Sequence, residues 1–187
     1  MSEARGEMLT SIARAAISSA LGMPQSADED AAWLMEPGAC FVTLTQQGRL
    51  RGCMGSLEAH RPLLIDVKSN AVAAALHDTR FMPLKSAELA DTDIEISQLS
   101  PMTAMKFRNE ADMLSQLHPG IDGVVFEFNG YRRTFLPQVW EQLPSPRQFI
   151  GQLKRKAGFP EDFWDREVKI SRYSVSKYPE RRHSEEH

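Results

Sequence analysis

The stretch Arg49-Leu50-Arg51-Gly52-Cys53-Met54-Gly55 sets a thiol two residues past an arginine and between two glycines. A thiolate can act as a nucleophile, a redox centre or a ligand-contacting group, and a fixed guanidinium nearby favours the charged form. Gly52 and Gly55 have no side chain to shield the site and let a backbone or ligand approach closely. A small, inert strand residue is the competing reading of Cys53. A thiol enzyme also needs a base. His60, His77 and His118 are available, but no spacing selects one of them, and each also suits a surface or helix end. Glu95 is a candidate general acid or base, while Asp78 and Arg80 suit an ion pair closing a helix.

Other chemistries lack a signal. The chain has no His-Glu-x-x-His, no paired-cysteine motif and no phosphate-binding glycine loop, so no metal and no cofactor is expected. Two cysteines in 187 residues make no disulfide framework, which points to a reducing compartment. The N-terminus shows no basic start followed by an apolar run, and no stretch approaches a membrane span, so a cytoplasmic protein is expected. Residues 1–130 hold 10 Lys/Arg against 17 Asp/Glu, whereas residues 131–182 hold 12 against 6. An acidic body thus carries a basic C-terminal third. Its residues Arg132, Arg133, Arg147 and Lys154-Arg155-Lys156 suit either solvated faces or a phosphate- or RNA-binding surface. Three consecutive charges on a helix spread around it, which weakens the second use.

The elements that must position the thiol follow from periodicity. Leu9, Ile12, Ala16 and Ala20 form a helical stripe stopped by Gly22 and Pro24. Cys40 to Thr45 and Arg49 to Met54 read as antiparallel strands around Gln46-Gln47-Gly48. With that three-residue loop, Leu44 faces Leu50 and Val42 faces Gly52. One face then collects Cys40, Val42, Leu44, Leu50, Gly52 and Met54; the other collects Phe41, Thr43, Thr45, Arg49, Arg51 and Cys53. Cys53 is expected beside Arg51 and pointing away from Cys40.

A second helix is expected from Pro62 to about Asp78, with Leu64, Val67, Ala71, Ala74 and Ala75 toward the core. Thr92 to Leu99 alternates as a half-buried strand with Glu95 on its polar face. A short helix runs from Asn109 or Glu110 to Leu117. Gly123 to Phe128 and Tyr131 to Phe135 flank Asn129-Gly130, a strong hairpin signal. Ser145-Pro146 opens a helix that reaches Ala157, and Val168 to Val175 reads as a last strand. Helices and antiparallel hairpins without a βαβ repeat make the class α+β. The expected boundaries are one domain over residues 5–178 and a polar tail over 179–187.

Leu50-Arg51-Gly52-Cys53-Met54-Gly55, Asn70-Ala71, Asp78-Thr79-Arg80-Phe81-Met82-Pro83, Gly120-Ile121-Asp122-Gly123, Leu136-Pro137-Gln138-Val139-Trp140 and Lys156-Ala157-Gly158 together resemble the AMMECR family. The name comes from the AMME chromosomal region, and prokaryotic members are called AmmeMemoRadiSam system protein A. Met54 stands where the family usually has isoleucine, a volume-tolerant exchange. The resemblance implies a larger and a smaller lobe, with the cysteine segment near a cleft. It also implies a link to a Memo-like, dioxygenase-type protein and a radical SAM protein in a shared modification pathway. Carried onto matching positions, it marks Arg51, Gly52, Cys53, Gly55, Asp78, Arg80, Phe81 and Pro83.

Two readings follow. In one, the chain acts on or presents a small molecule, RNA or protein in a cleft holding Cys53, with Arg51 or Arg80 on an anionic group and Glu95 as proton carrier. In the other, it is a non-catalytic adaptor that binds RNA or a protein through the basic C-terminal third.

Overall fold

The computed structural model describes residues 2–181. In chain order the first elements are α1 (Ser2–Ala20), β1 (Ala39–Gln46), β2 (Arg49–Gly55), α2 (Leu63–Leu76) and β3 (Asp93–Leu99). There follow β4 (Thr103–Ala104), α3 (Glu110–Gln116), β5 (Gly123–Phe128), β6 (Tyr131–Phe135), α4 (Pro146–Lys156), β7 (Lys169–Tyr173) and β8 (Val175–Pro179). Short 3-10 turns occupy Ala32–Met35, Ser86–Asp91 and Pro137–Glu141. The class is α+β, as expected. No helix among the described residues is long and apolar enough to cross a membrane.

The chain divides into two compact units, one running to Leu99 and resuming at Ser176, the other spanning Ser100–Val175. The first carries a sheet in the order β2-β1-β3-β8 with α1 and α2 packed on it. Its core joins Leu9, Ile12, Ala13 and Ile17 of α1, Val67, Ala71 and Ala74 of α2, and Cys40, Val42, Leu44, Ile94 and Ile96 of the sheet. The α1 stripe therefore turns through Ala13 and Ile17, while Ala20 is exposed. In α2 it is Leu63, not Leu64, that is fully buried.

The second unit has a sheet in the order β4-β7-β5-β6, with Phe126, Val124 and Ile170 packed against Met113 of α3 and Phe149, Ile150 and Leu153 of α4. Trp140 stacks on Phe149 at 3.8 Å between ring centroids, an aromatic contact that adds to the burial of both.

One expectation on the strands needs correction. The last strand is two strands: the chain leaves one sheet after Tyr173 and enters the other at Val175. At the start of the expected tail, Pro179 ends β8, Glu180 meets Arg14 at 2.6 Å and Arg181 meets Glu3 at 2.8 Å. The remainder of that tail, 182–187, lies outside the described residues.

The β1–β2 hairpin closes through two residues, Gln47 and Gly48, at φ 53° and 77°, and not through three. Loops of this mirror-image kind match the twist of the strands. A two-residue loop alone would put the wrong face of β2 on the helices. A bulge at Arg51 restores the parity: Leu50 pairs with Thr45, Gly52 with Leu44, Cys53 with Thr43 and Met54 with Val42. Leu50 therefore lies outside the core face and is exposed, whereas Gly52 and Met54 lie where the alternation put them.

Candidate functional site

Cys53 sits on the outer strand β2, opposite Thr43, whose Oγ1 is 3.5 Å from the sulfur. The thiol is half-buried. Cys40 points the other way into the core and is fully buried, so both cysteines are free, as the alternation requires. Burial first, and the Asp66 charge next, push the Cys40 thiol far above its ordinary range.

The outward main-chain N–H of Cys53 donates to Oδ2 of Asp78 at 3.0 Å. Asp78 follows α2 and is buried. Its carboxylate takes a two-pronged grip from Arg80, Nε to Oδ1 at 3.0 Å and Nη2 to Oδ2 at 2.7 Å, and the Arg80 N–H adds a bond at 3.1 Å. The Arg80 side-chain bonds, opposed by burial and helped by the Cys53 and Arg80 amides, hold the Asp78 carboxyl well below the usual range. The same pairing raises the Arg80 guanidinium.

Arg51, the bulge residue, turns to Glu88: Nε lies 3.3 Å from Oε1 and Nη2 lies 3.2 Å from Oε2. Its guanidinium also stands 5.9 Å from the Phe81 ring, whose centre is 5.5 Å from that of Arg80. Two guanidiniums thus share one phenyl ring, and each has its own carboxylate. The Glu88 carboxyl is depressed, most of all by the N–H of Lys85 and further by Arg51. Beside this pair is an open hollow of about 600 Å³ lined by Arg51, Glu88, Gln46, Arg49, Leu50 and Asp91 among others; Cys53 does not line it.

Both glycines have steric reasons. A Cβ on Gly52 would stand against the carbonyl of Ala74 in α2, and one on Gly55 would stand inside the Phe41 ring. Bare backbone at Gly52 is what lets β2 lie against the helix. Glu95 pairs with Thr43 on β3, which puts it on the face of Cys53 but two strands away, roughly 10 Å. It is out of hydrogen-bond reach of the sulfur. Among the described residues no histidine is hydrogen-bonded to it either: His60 is exposed and pairs with Glu58, His77 caps α2, and His118 stands near Asp122.

Sequence reasoning missed a second buried carboxylate. Asp66 in α2 accepts from the Cys40 N–H at 2.8 Å, Ser56 Oγ at 2.7 Å, Arg61 Nε at 2.9 Å and Asn70 Nδ2 at 3.1 Å. Asn70 also donates to the carbonyl of Cys40. Only Asn70 carried a signal, through the motif that contains it. Among the described residues no three His, Cys, Asp or Glu side chains are grouped to hold a metal ion.

The basic third is spread around α4, as its periodicity implies. Lys154 is buried, 2.8 Å from Glu110 and 5.6 Å from the centre of the Trp164 ring, while Arg155 pairs with Glu161 and Lys156 bonds the carbonyl of Thr134.

The chain resembles several archaeal proteins along most of its length. It is 36% identical to a protein of Methanothermobacter thermautotrophicus over 146 residues, 75% of this chain and 74% of that one. It is 33% identical to protein Ta0236 of Thermoplasma acidophilum over 181 residues, 94% of this chain and 87% of that one. The crystal structure of PH0010 from Pyrococcus horikoshii superposes with a TM-score of 0.83 at 29% identity, covering 94% of this chain and 91% of that chain. The AMMECR1 family model matches residues 10–178, a span that takes in the cysteine strand, its aspartate clamp and both sheets, and the chain belongs to the AMMECR1 family.

Proposed function

We propose that the protein serves a modification pathway by binding a ligand or partner along the β2 edge, with Cys53 as the contacting thiol. Asp78 supports this reading most directly: one carboxylate fixes the Cys53 backbone and the Arg80 guanidinium together. A half-exposed sulfur and an exposed cation are thereby held in one rigid relation beside Gly52 and Gly55. Thr43, with no histidine or carboxylate, is the side chain bonded to the sulfur, which favours a presenting or contacting thiol over a base-activated nucleophile. Arg51 and Arg80 hold an anionic group only by sharing it with Glu88 and Asp78. Memo-like and radical SAM proteins, implied by the family resemblance, are the partners to supply.

The test compares wild type with Cys53→Ala by mass spectrometry of intact protein and of small molecules that copurify. A species held by wild type and absent from the variant is expected, with the fold verified by circular dichroism. Identical spectra, with and without the purified Memo-like and radical SAM proteins, would sink the reading.

A further inference from the structure

The hollow of about 600 Å³ beside Arg51 has a charge pattern of its own. Two arginines, Arg49 and Arg51, and two carboxylates, Glu88 and Asp91, line it, so its formal charges cancel. They are not equally available. Arg51 directs Nε and Nη2 to the Glu88 carboxylate, 3.3 and 3.2 Å away. Arg49, on β2, and Asp91, at the end of the 3-10 turn Ser86–Asp91, are both exposed. Neither side chain has an ion-pair or hydrogen-bond partner among the described residues.

The wall between these two charges is held in place. Thr92 Oγ1 gives its one hydrogen to the carbonyl of Glu88 at 2.8 Å, so toward Gln46 it can only accept, and it takes Gln46 Nε2 at 3.1 Å. This sets the Gln46 amide with its nitrogen on Thr92 and leaves its carbonyl oxygen without a donor among the described residues. The Arg51–Glu88 pair ties the same turn to β2. Strand β1 lies between the two free charges, since Gln46 opposes Arg49 and Thr45 opposes Asp93. Two strand spacings, about 10 Å, therefore separate their backbones, a gap that two side chains and a small ligand close. Leu50, 43% exposed, adds an apolar surface to the lining.

We propose that this hollow binds a small dipolar ion, an amino-acid-like ammonium carboxylate with an apolar side chain. Its carboxylate takes the fork of Arg49, its ammonium goes to Asp91 and the Gln46 carbonyl oxygen, and its side chain lies on Leu50. Charge decides against simpler ligands. A phosphate or dicarboxylate would satisfy Arg49 but stand against Asp91 and Glu88, and a polyamine would satisfy Asp91 but stand against two guanidiniums. A ligand with one charge of each sign is opposed by neither, and a volume of this order has room for its side chain. Cys53 does not line the hollow, so this proposal and the one for the thiol fail separately.

The test titrates the isotope-labelled full chain with L-leucine at low salt and follows the amide resonances by NMR. Saturable shifts at Arg49, Leu50 and Asp91, with a Kd of about 1 mM or tighter, are expected. The compounds 4-methylpentanoate and 3-methylbutylamine keep the apolar group and one charge each, and each should bind about tenfold more weakly or worse. Arg49→Gln and Asp91→Asn change exposed side chains without partners, so both variants should fold, and each should weaken leucine by about tenfold. Absence of shifts at about 20 mM leucine would overturn the proposal. So would equal affinity for either singly charged compound, or unchanged affinity in either variant.

Discussion

The main-chain N–H of Cys53 is bonded to the carboxylate of Asp78, twenty-five residues further on. A second aspartate, Asp66, does the same for Cys40. Asp66 within α2 and Asp78 just past its end thus clamp the two strands of the hairpin with buried carboxylates, and the outward amide of Cys53 on the edge strand is satisfied.

Asp78→Asn should cost about 2 kcal/mol at neutral pH, the order of a charged hydrogen bond lost in a buried place. The Asp78 pKa is depressed in the fold, so its contribution is complete above the ordinary carboxyl range and is lost as pH falls through the folded value. Urea melts should show a gap between wild type and variant at pH 7 that narrows below about pH 4. A gap that widened in acid would contradict the assignment.

Gly52→Ala should destabilise by about 3 kcal/mol or prevent folding, because its Cβ meets the Ala74 carbonyl and neither backbone can yield. Gly55→Ala meets a side-chain ring, so Phe41→Ala should recover part of its loss. Thermal unfolding of the two single variants and the double one decides this.

Alkylation should separate the cysteines. Cys53, half-exposed, should react with iodoacetamide in the native state, while Cys40, fully buried and with its thiol pushed up, should react only on unfolding. Peptide-resolved mass spectrometry over a time course gives both rates. Similar rates would mean the hairpin faces are wrongly placed.

Within the run Lys154-Arg155-Lys156, Lys154→Ala should cost about 2–4 kcal/mol by stranding Glu110 and opening space beside Trp164. Arg155→Ala, at a surface pair, should change stability by less than about 1 kcal/mol. Chemical denaturation of both variants tests whether one lysine of the three is inside.

Much of this architecture was legible because it depends on local rules. Alternation placed Cys53 and Cys40 on opposite faces, and Pro62, Pro83 and Asn129-Gly130 bounded α2 and the β5–β6 hairpin. The bulge at Arg51 was not legible. One extra residue on an edge strand leaves no mark on its neighbours, and its place follows from Gly52 seating against Ala74. That bulge is why Arg51 meets Glu88 and not the thiol.

Composition, periodicity and turn chemistry therefore determined the α+β class, the hairpin that carries the thiol and the side to which it points. Tertiary structure alone decided the partners: Asp78 for Cys53, Glu88 for Arg51, Glu110 for Lys154, and a second strand in another sheet after Ser174. The reason is physical. Facing and turning are set by backbone geometry over a few residues, whereas a buried charge finds its counter-charge only when packing brings together side chains dozens of residues apart.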